Sequence, residues 1–204
     1  MPTRYTATGS QAQFEPGSDQ QVLANHLAIT SIDEMNDVEL DLLSQLYERV
    51  FEDESLERRL TIEDLKTWHR EWLGNVYAWA GEIRNVNLGK GNVQFAAAPQ
   101  IPKLLDEFQA QCLDRHTPCP ASNPDALVEA LAITHIELIL IHPFREGNGR
   151  LARLLADVMS VQGGFGLLDY SYWDSNKQNY FAAIQKGWDQ DYRDMAMFFR
   201  AALP

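Results

Sequence analysis

A capped apolar helix that stops at one His-Pro step and resumes after a short loop constrains this chain more than any other feature. Asn123 can cap a helix with Pro124 at its first position, and Leu127, Leu131, Leu138 and Ile141 carry an apolar face to its end. Proline drives the residue before it out of the α region, so His142 and Pro143 break the helix. Leu151, Leu154, Leu155, Val158 and Met159 then recur at i, i+3, i+4, i+7 and i+8, which predicts a second helix from about Gly149 to the stop at Gly163 and Gly164. The first of these helices is read as central. His135 inside it reads as a hydrogen-bonded core histidine.

The rest of the chain reads as helices packed around that pair. Residues 1–18 are rich in Thr, Ser, Gln, Gly and Pro and read as a flexible tail, leaving 19–204 as a single domain. Val22, Asn25, His26 and Ile29 suggest a short helix, and Leu40, Leu43, Tyr47, Val50 and Phe51 a longer one. Thr61 can cap the next helix with Glu63 and Asp64 in its first turn, and Ile62, Leu65, Trp68, Trp72 and Val76 form its core stripe. Ile83, Val86 and Leu88, then Gly89-Lys90-Gly91-Asn92, then Val93 and Phe95 predict a β-hairpin flap over about 83–96. Ile101, Leu104, Leu105, Phe108 and Cys112 mark another helix, closed by Pro118 and Pro120. Ser175 with Gln178 suggests a capping box for a helix through Ile184, and Tyr192 to Ala202 a last helix. The class is all-α with one small hairpin.

Composition narrows the function. At 204 residues with 45% hydrophobic content, one sizeable core is expected and no apolar run approaches a membrane span. The N-terminus lacks an apolar signal region, so a cytoplasmic address is expected. Cys112 and Cys119 read as two reduced thiols. With 29 acidic against 17 basic residues the net charge is -12, which disfavours general nucleic-acid or membrane binding but allows a local basic pocket.

Such a pocket is written at the break. Gly147, Asn148 and Gly149 stand where loop becomes helix, so backbone N–H groups and the helix dipole favour an anion, and the Asn148 amide can donate once more. Arg150 and Arg153 are three apart and share a face toward the distal oxygens of a polyphosphate. Glu146 suits that cradle if a Mg²⁺ ion stands between it and the phosphates. His142 has the pKa range of a base that deprotonates an attacking hydroxyl. Phe144 is expected to turn inward and pin the loop.

The run His142-Pro-Phe144-Arg-Glu146-Gly147-Asn148-Gly149-Arg150-Leu-Ala-Arg153 resembles the signature of the Fic (filamentation induced by cAMP) family of the Fic/Doc superfamily at every fixed position. His69 through Arg84, with Tyr77, Trp79, Ala80 and Gly81, is similar to the stretch that leads into that family's flap. The resemblance implies a Fic-type helical bundle and AMPylation, the transfer of AMP from ATP to a Ser, Thr or Tyr hydroxyl of a target protein with release of pyrophosphate. It implies His142 as general base, Glu146 on Mg²⁺, Gly147–Gly149 as anion hole, and Arg150 and Arg153 on the β- and γ-phosphates. The flap residues Lys90, Gly91, Asn92 and Phe95 would dock the target, and Asn176 and Tyr180 would line the adenine pocket. Gly149 leaves room for the α-phosphate, which favours AMP transfer over the phosphorylation carried out by the Doc branch.

Many family members carry an inhibitory Ser/Thr-x-x-x-Glu-Gly/Asn helix. Thr30/Glu34, Ser44/Glu48 and Thr67/Glu71 have its first spacing, but Met35, Arg49 and Trp72 follow. A separate antitoxin-like chain, with a glutamate directed at Arg153, is the expected inhibitor. Thr3, Tyr5, Thr6 and Thr8 are candidate self-modification sites, Tyr5 foremost. Competing readings are transfer of another phosphate-containing group, as in a kinase, and a nucleotide-binding module without catalysis.

Overall fold

The computed structural model describes residues 6–7, 11, 13–52, 56–90, 93–119 and 123–204, with backbone alone for 6–7, 90 and 93. In chain order the elements are β1 (Thr6–Ala7), α1 (Ile32–Glu52), α2 (Ile62–Leu73), β2 (Leu88–Lys90), β3 (Val93–Gln94) and α3 (Ile101–Phe108). A π-helical turn, Gln109–Leu113, joins α3 to α4 (Asp114–His116). Then come α5 (Pro124–Ile141), α6 (Asn148–Gln162), α7 (Ser171–Ser175), α8 (Lys177–Lys186) and α9 (Arg193–Ala202). No helix among the described residues is long and apolar enough to cross a membrane.

The central helix is α5. Asn123 caps it by accepting from Asp125 N, Pro124 opens it, and it is buried on nearly every side, from Leu127 to Ile141. Helices α6, α9 and α3 pack around it. An apolar helix in this position removes most of its side-chain area from water, at about 25 cal/mol per Å², which explains its lack of a polar face. The cap of α2 is a full box: Thr61 Oγ1 accepts from Asp64 N and the Asp64 carboxylate accepts from Thr61 N.

Three expectations are corrected. Residues 22–29 form no helix, although Val22 and Ile29 are buried. The Asn25 side chain bonds the backbone of Leu23, Leu27 and Ile29, and this local pairing competes successfully with a helical ladder. In α1 the inward face carries Met35, Glu39, Leu46 and Val50, whereas Leu40 is 58% exposed. A carboxylate is thus buried where the hydrophobic pattern pointed to leucine, because its partners lie on other elements. Ser175 ends α7 with its Oγ on Ser171 O, and Asn176, whose side chain makes no capping bond, stands at the cap of α8.

Residues 13–18 bond to the segment that follows: Glu15 N donates to Val22 O, Ala24 N to Gln13 O, and Asn25 N to the Glu15 carboxylate. In the flap region β2 pairs antiparallel with β3, Gly89 opposite Gln94. Strand β1 pairs with the other edge of β2, Thr6 opposite Gly89. Tyr5, Gly91 and Asn92 lie outside the described residues.

The turn after α8 touches the central helix so closely that a Cβ on Gly187 would stand 2.2 Å from Ile136 Cγ2. Gly187→Ala should therefore lower stability by about 1–3 kcal/mol in thermal or urea melts. Adding Ile136→Ala should make the double variant less destabilised than the sum of the two single changes.

Candidate active site at the helix-loop-helix joint

His142 is the C-cap of α5 in the left-handed conformation, φ 52° and ψ 60°. A β-carbon there costs on the order of 1–2 kcal/mol, so the surroundings must hold it in place. They do so at several points. Its N–H donates to Leu138 O, its carbonyl accepts from Arg84 Nε at 2.6 Å, and its ring stacks on Phe95 at 3.7 Å with 8° between the planes. Nδ1 stands 3.2 Å from Ile139 O. A carbonyl only accepts, so Nδ1 carries the proton and the basic lone pair of the neutral ring is on Nε2.

The loop that follows is built from the inside. Phe144 is buried and stacks on His69 at 4.1 Å. Gly81 N donates to His69 Nδ1 at 2.7 Å, which leaves Nε2–H to donate to Glu146 O at 3.1 Å. Burial, and secondarily the nearby Arg150 and Arg70, hold this imidazole neutral with a pKa near about 4, against the opposing pull of the Glu146 carbonyl. Asn148 clasps the loop from the other end, accepting from Phe144 N and donating to Phe144 O. One N–H of its amide, expected to reach for an anion, thus goes to the backbone.

Two glycines do different work here. Gly147 has φ +81° and a Cβ on it would lie 2.6 Å from the Trp72 ring, so the fold itself requires glycine. At Gly149 the backbone has no such φ and a Cβ would meet no atom within 4 Å. This glycine borders open space at the N-terminus of α6, where no side chain caps the helix.

The motif arginines are also unlike each other. Arg150 lies 4.6 Å over Trp72, bonds Glu39 Oε2 at 2.5 Å and stands 3.6 Å from Glu146 Oε1. Glu39, 3% exposed, further accepts from the Tyr77 hydroxyl at 2.7 Å, and its carbonyl accepts from Trp72 Nε1. Arg153 lies over Tyr170 and Trp173, with Asp174 at 3.7 Å. Beyond Trp173, Tyr180 bonds His135 Nε2 at 2.9 Å and Asn176 donates to Tyr172 O. The structure thus gathers His142, Glu146, Gly147–Gly149 and Phe95 on one joint, with Arg153, Trp173 and Tyr180 in sequence beside it.

Glu39, Trp72, His69 and Arg84 belong to the site although sequence reasoning assigned none of them a role there. His69 and Arg84 stand in the stretch similar to the family's approach to the flap, and that is the one signal that could have pointed to them. Glu39, on α1, had none. Glu146 offers a single carboxylate, whose Oε1 accepts from Gly147 N at 3.0 Å. Among the described residues no three metal-ligating side chains cluster.

Comparison with known proteins bears on the same segment. A family model described as the Fic/DOC family matches residues 59–160, half of the chain. "Protein adenylyltransferase fic-1" of Caenorhabditis briggsae is 35% identical over 107 residues, covering 52% of this chain and 20% of that protein. The chain therefore spans about a fifth of the length of that relative. The N-terminal FIC domain of Bep8 from Bartonella sp. 1-1C has a TM-score of 0.78 at 18% identity, covering 96% of both chains. BepC of Bartonella tribocorum, with bound AMPPNP, has a TM-score of 0.75 at 18% identity, covering 94% of this chain and 95% of that one. At these identities the fold is what is shared.

Two buried neutral histidines give the fold a pH dependence. Burial lowers His69 to about 4 and His135 to about 3, whereas the unfolded chain titrates near about 6.5. The unfolded state then binds the extra protons, so the stability is present above about pH 6.5 and is lost as pH falls toward 4. Urea midpoints should fall between pH 6.5 and 5, and His135→Gln should flatten that slope.

Proposed function

Because the chain belongs to the Fic/DOC family, we propose that it is a protein adenylyltransferase that moves AMP from ATP to a hydroxyl of a target protein. The acceptor oxygen forms a bond to the α-phosphorus, the bond to the β-phosphate bridging oxygen breaks, and pyrophosphate leaves. His142 Nε2 takes the hydroxyl proton, since Nδ1–H is held by Ile139 O. The names of curated relatives and the AMPPNP bound by BepC support a nucleotide-dependent transfer.

The observation that carries this reading is the open N-terminus of α6 at Gly149. A glycine that neither φ nor packing demands, at the positive end of a 15-residue helix, fits close approach of a phosphate. Glu146 suits Mg²⁺, which takes one or two carboxylates and completes its shell with phosphate oxygens and water; bound there, it would neutralise phosphate charge. Arg153 is assigned to the distal phosphates. Arg150 reaches them only while sharing its guanidinium with Glu39, so it contributes more to holding Glu146 and the loop.

Phe95 and the β2–β3 tip, Lys90 to Asn92 included, would hold the target segment. The edge of β2 already takes an extended strand from this chain, and a target strand would replace Thr6–Ala7 there. Asn176 and Tyr180 would offer surface to the adenine, since their polar atoms are engaged with Tyr172 O and His135. Inhibition by a separate antitoxin-like chain fits the described pairs: Glu71 lies by Arg49, and the acidic partner of Arg153 is the exposed Asp174. Tyr5 keeps its place as the candidate self-modification site.

Incubating a lysate with ATP labelled on the α-phosphate should label protein bands with the wild type and not with His142→Ala. Label from the γ-phosphate instead would identify a kinase, and ATP binding without transfer a sensor. Gly149→Ala separates ligand from fold: an alanine in the first turn of α6, at a backbone conformation it can adopt, should raise stability by about 0.4–1 kcal/mol by restricting the unfolded chain. The same change should weaken ATP binding in calorimetry.

A further inference from the structure

Arg84 is 1% exposed, and each hydrogen bond of its side chain goes to a main-chain carbonyl. Nε donates to His142 O at 2.6 Å and Nη2 to Ile141 O at 3.3 Å, both at the C-terminus of α5. Nη1 donates to Val86 O at 2.5 Å and Nη2 to Ala96 O at 2.6 Å, on the two segments that carry β2 and β3. Arg84 N donates to Pro143 O, on the far side of the break. Burial and the nearby Arg145 lower its pKa to about 10, so the group stays charged at neutral pH.

The placement of these acceptors is specific. The His142 and Ala96 carbonyls belong to, or adjoin, the two rings that stack at 3.7 Å, His142 and Phe95. A planar fork of donors fixes both backbones at once, which a point charge such as lysine does not. We propose that Arg84 is a positioning residue that locks the flap to the catalytic base, setting the distance between the acceptor strand and His142 Nε2. This rests on the reading above, in which the flap carries the acceptor and His142 takes its proton. It adds that one guanidinium sets the register between them. Arg84 touches neither nucleotide nor acceptor in this account and acts through His142 and Phe95.

The test uses the full chain with Arg84→Lys and Arg84→Ala, a target found by the α-label experiment, and ATP binding measured in parallel. A misplacement near 1 Å costs on the order of 100-fold in rate, so kcat should fall by about that much in Arg84→Ala while ATP affinity holds. Arg84→Lys should recover part of the loss, and millimolar guanidinium should raise kcat of Arg84→Ala but not of His142→Ala. Wild-type kcat in a folded Arg84→Ala overturns the proposal. So does a loss of kcat, ATP affinity and melting temperature in proportion, which marks a residue needed for folding alone. If Arg84→Ala does not fold, Arg84→Lys decides by the same split between kcat and ATP affinity. If the wild type transfers no adenylate, the functional reading fails by itself, and the ¹⁵N resonances of the His142 ring still decide for Arg84: shifted in Arg84→Lys they support the lock, unchanged they overturn it.

Discussion

Two buried helix ends meet at one short loop, and most of the site follows from what that requires. The last carbonyls of α5 and the first N–H groups of α6 have no partners within their own helices. Carbonyls at a negative helix end call for a cation, and Arg84 supplies one, reaching the Ile141 and His142 oxygens. The N–H groups at the positive end of α6 are left without a side-chain cap. One end is satisfied by a buried guanidinium, and the other carries no side-chain cap at all. The left-handed turn at His142 makes this possible by reversing the chain quickly enough to bring both ends together.

Holding such a loop at its geometry takes buried polar groups, and each is paired. Glu39 and Arg150 form an ion pair that also takes in the Tyr77 hydroxyl and the face of Trp72. A buried pair of this kind adds little net stability, because both ions lose hydration. What it contributes is direction: Arg150 is held between Glu39 and Glu146. His69 does the equivalent without charge, joining Gly81 to Glu146 through its two nitrogens while stacking on Phe144. The neutral ring has one donor and one acceptor, matched to one carbonyl and one amide, and protonating it would break the second bond.

How much of this was legible depends on how far each partner lies along the chain. The Thr61 cap, the proline start of α5 and the apolar period of α6 are local patterns, and they stand where the residues put them. The motif was legible as a set of residues that gather. What each residue bonds was not. Asn148 turns back to Phe144, four residues away, because a buried loop must satisfy its own backbone before it can serve a ligand. Glu39 defeats the hydrophobic pattern of α1 because its partner is 111 residues further on, and no periodicity carries that information. The short helix expected over 22–29 fails for the opposite reason, a strong local competitor in Asn25.

The balance of charge around the joint bears on how a chain of net charge -12 could hold the phosphates of the proposed reaction. The positive groups near the loop are not all cancelled by carboxylates. Arg84 donates to carbonyls throughout, so its full charge stays beside α5. Arg150 faces Glu39 and Glu146, and Arg153 has the exposed Asp174 at 3.7 Å. Inside a low-dielectric wall, charges solvated by fixed dipoles rather than by counterions keep their reach, and the field they set up adds to that of the α6 terminus.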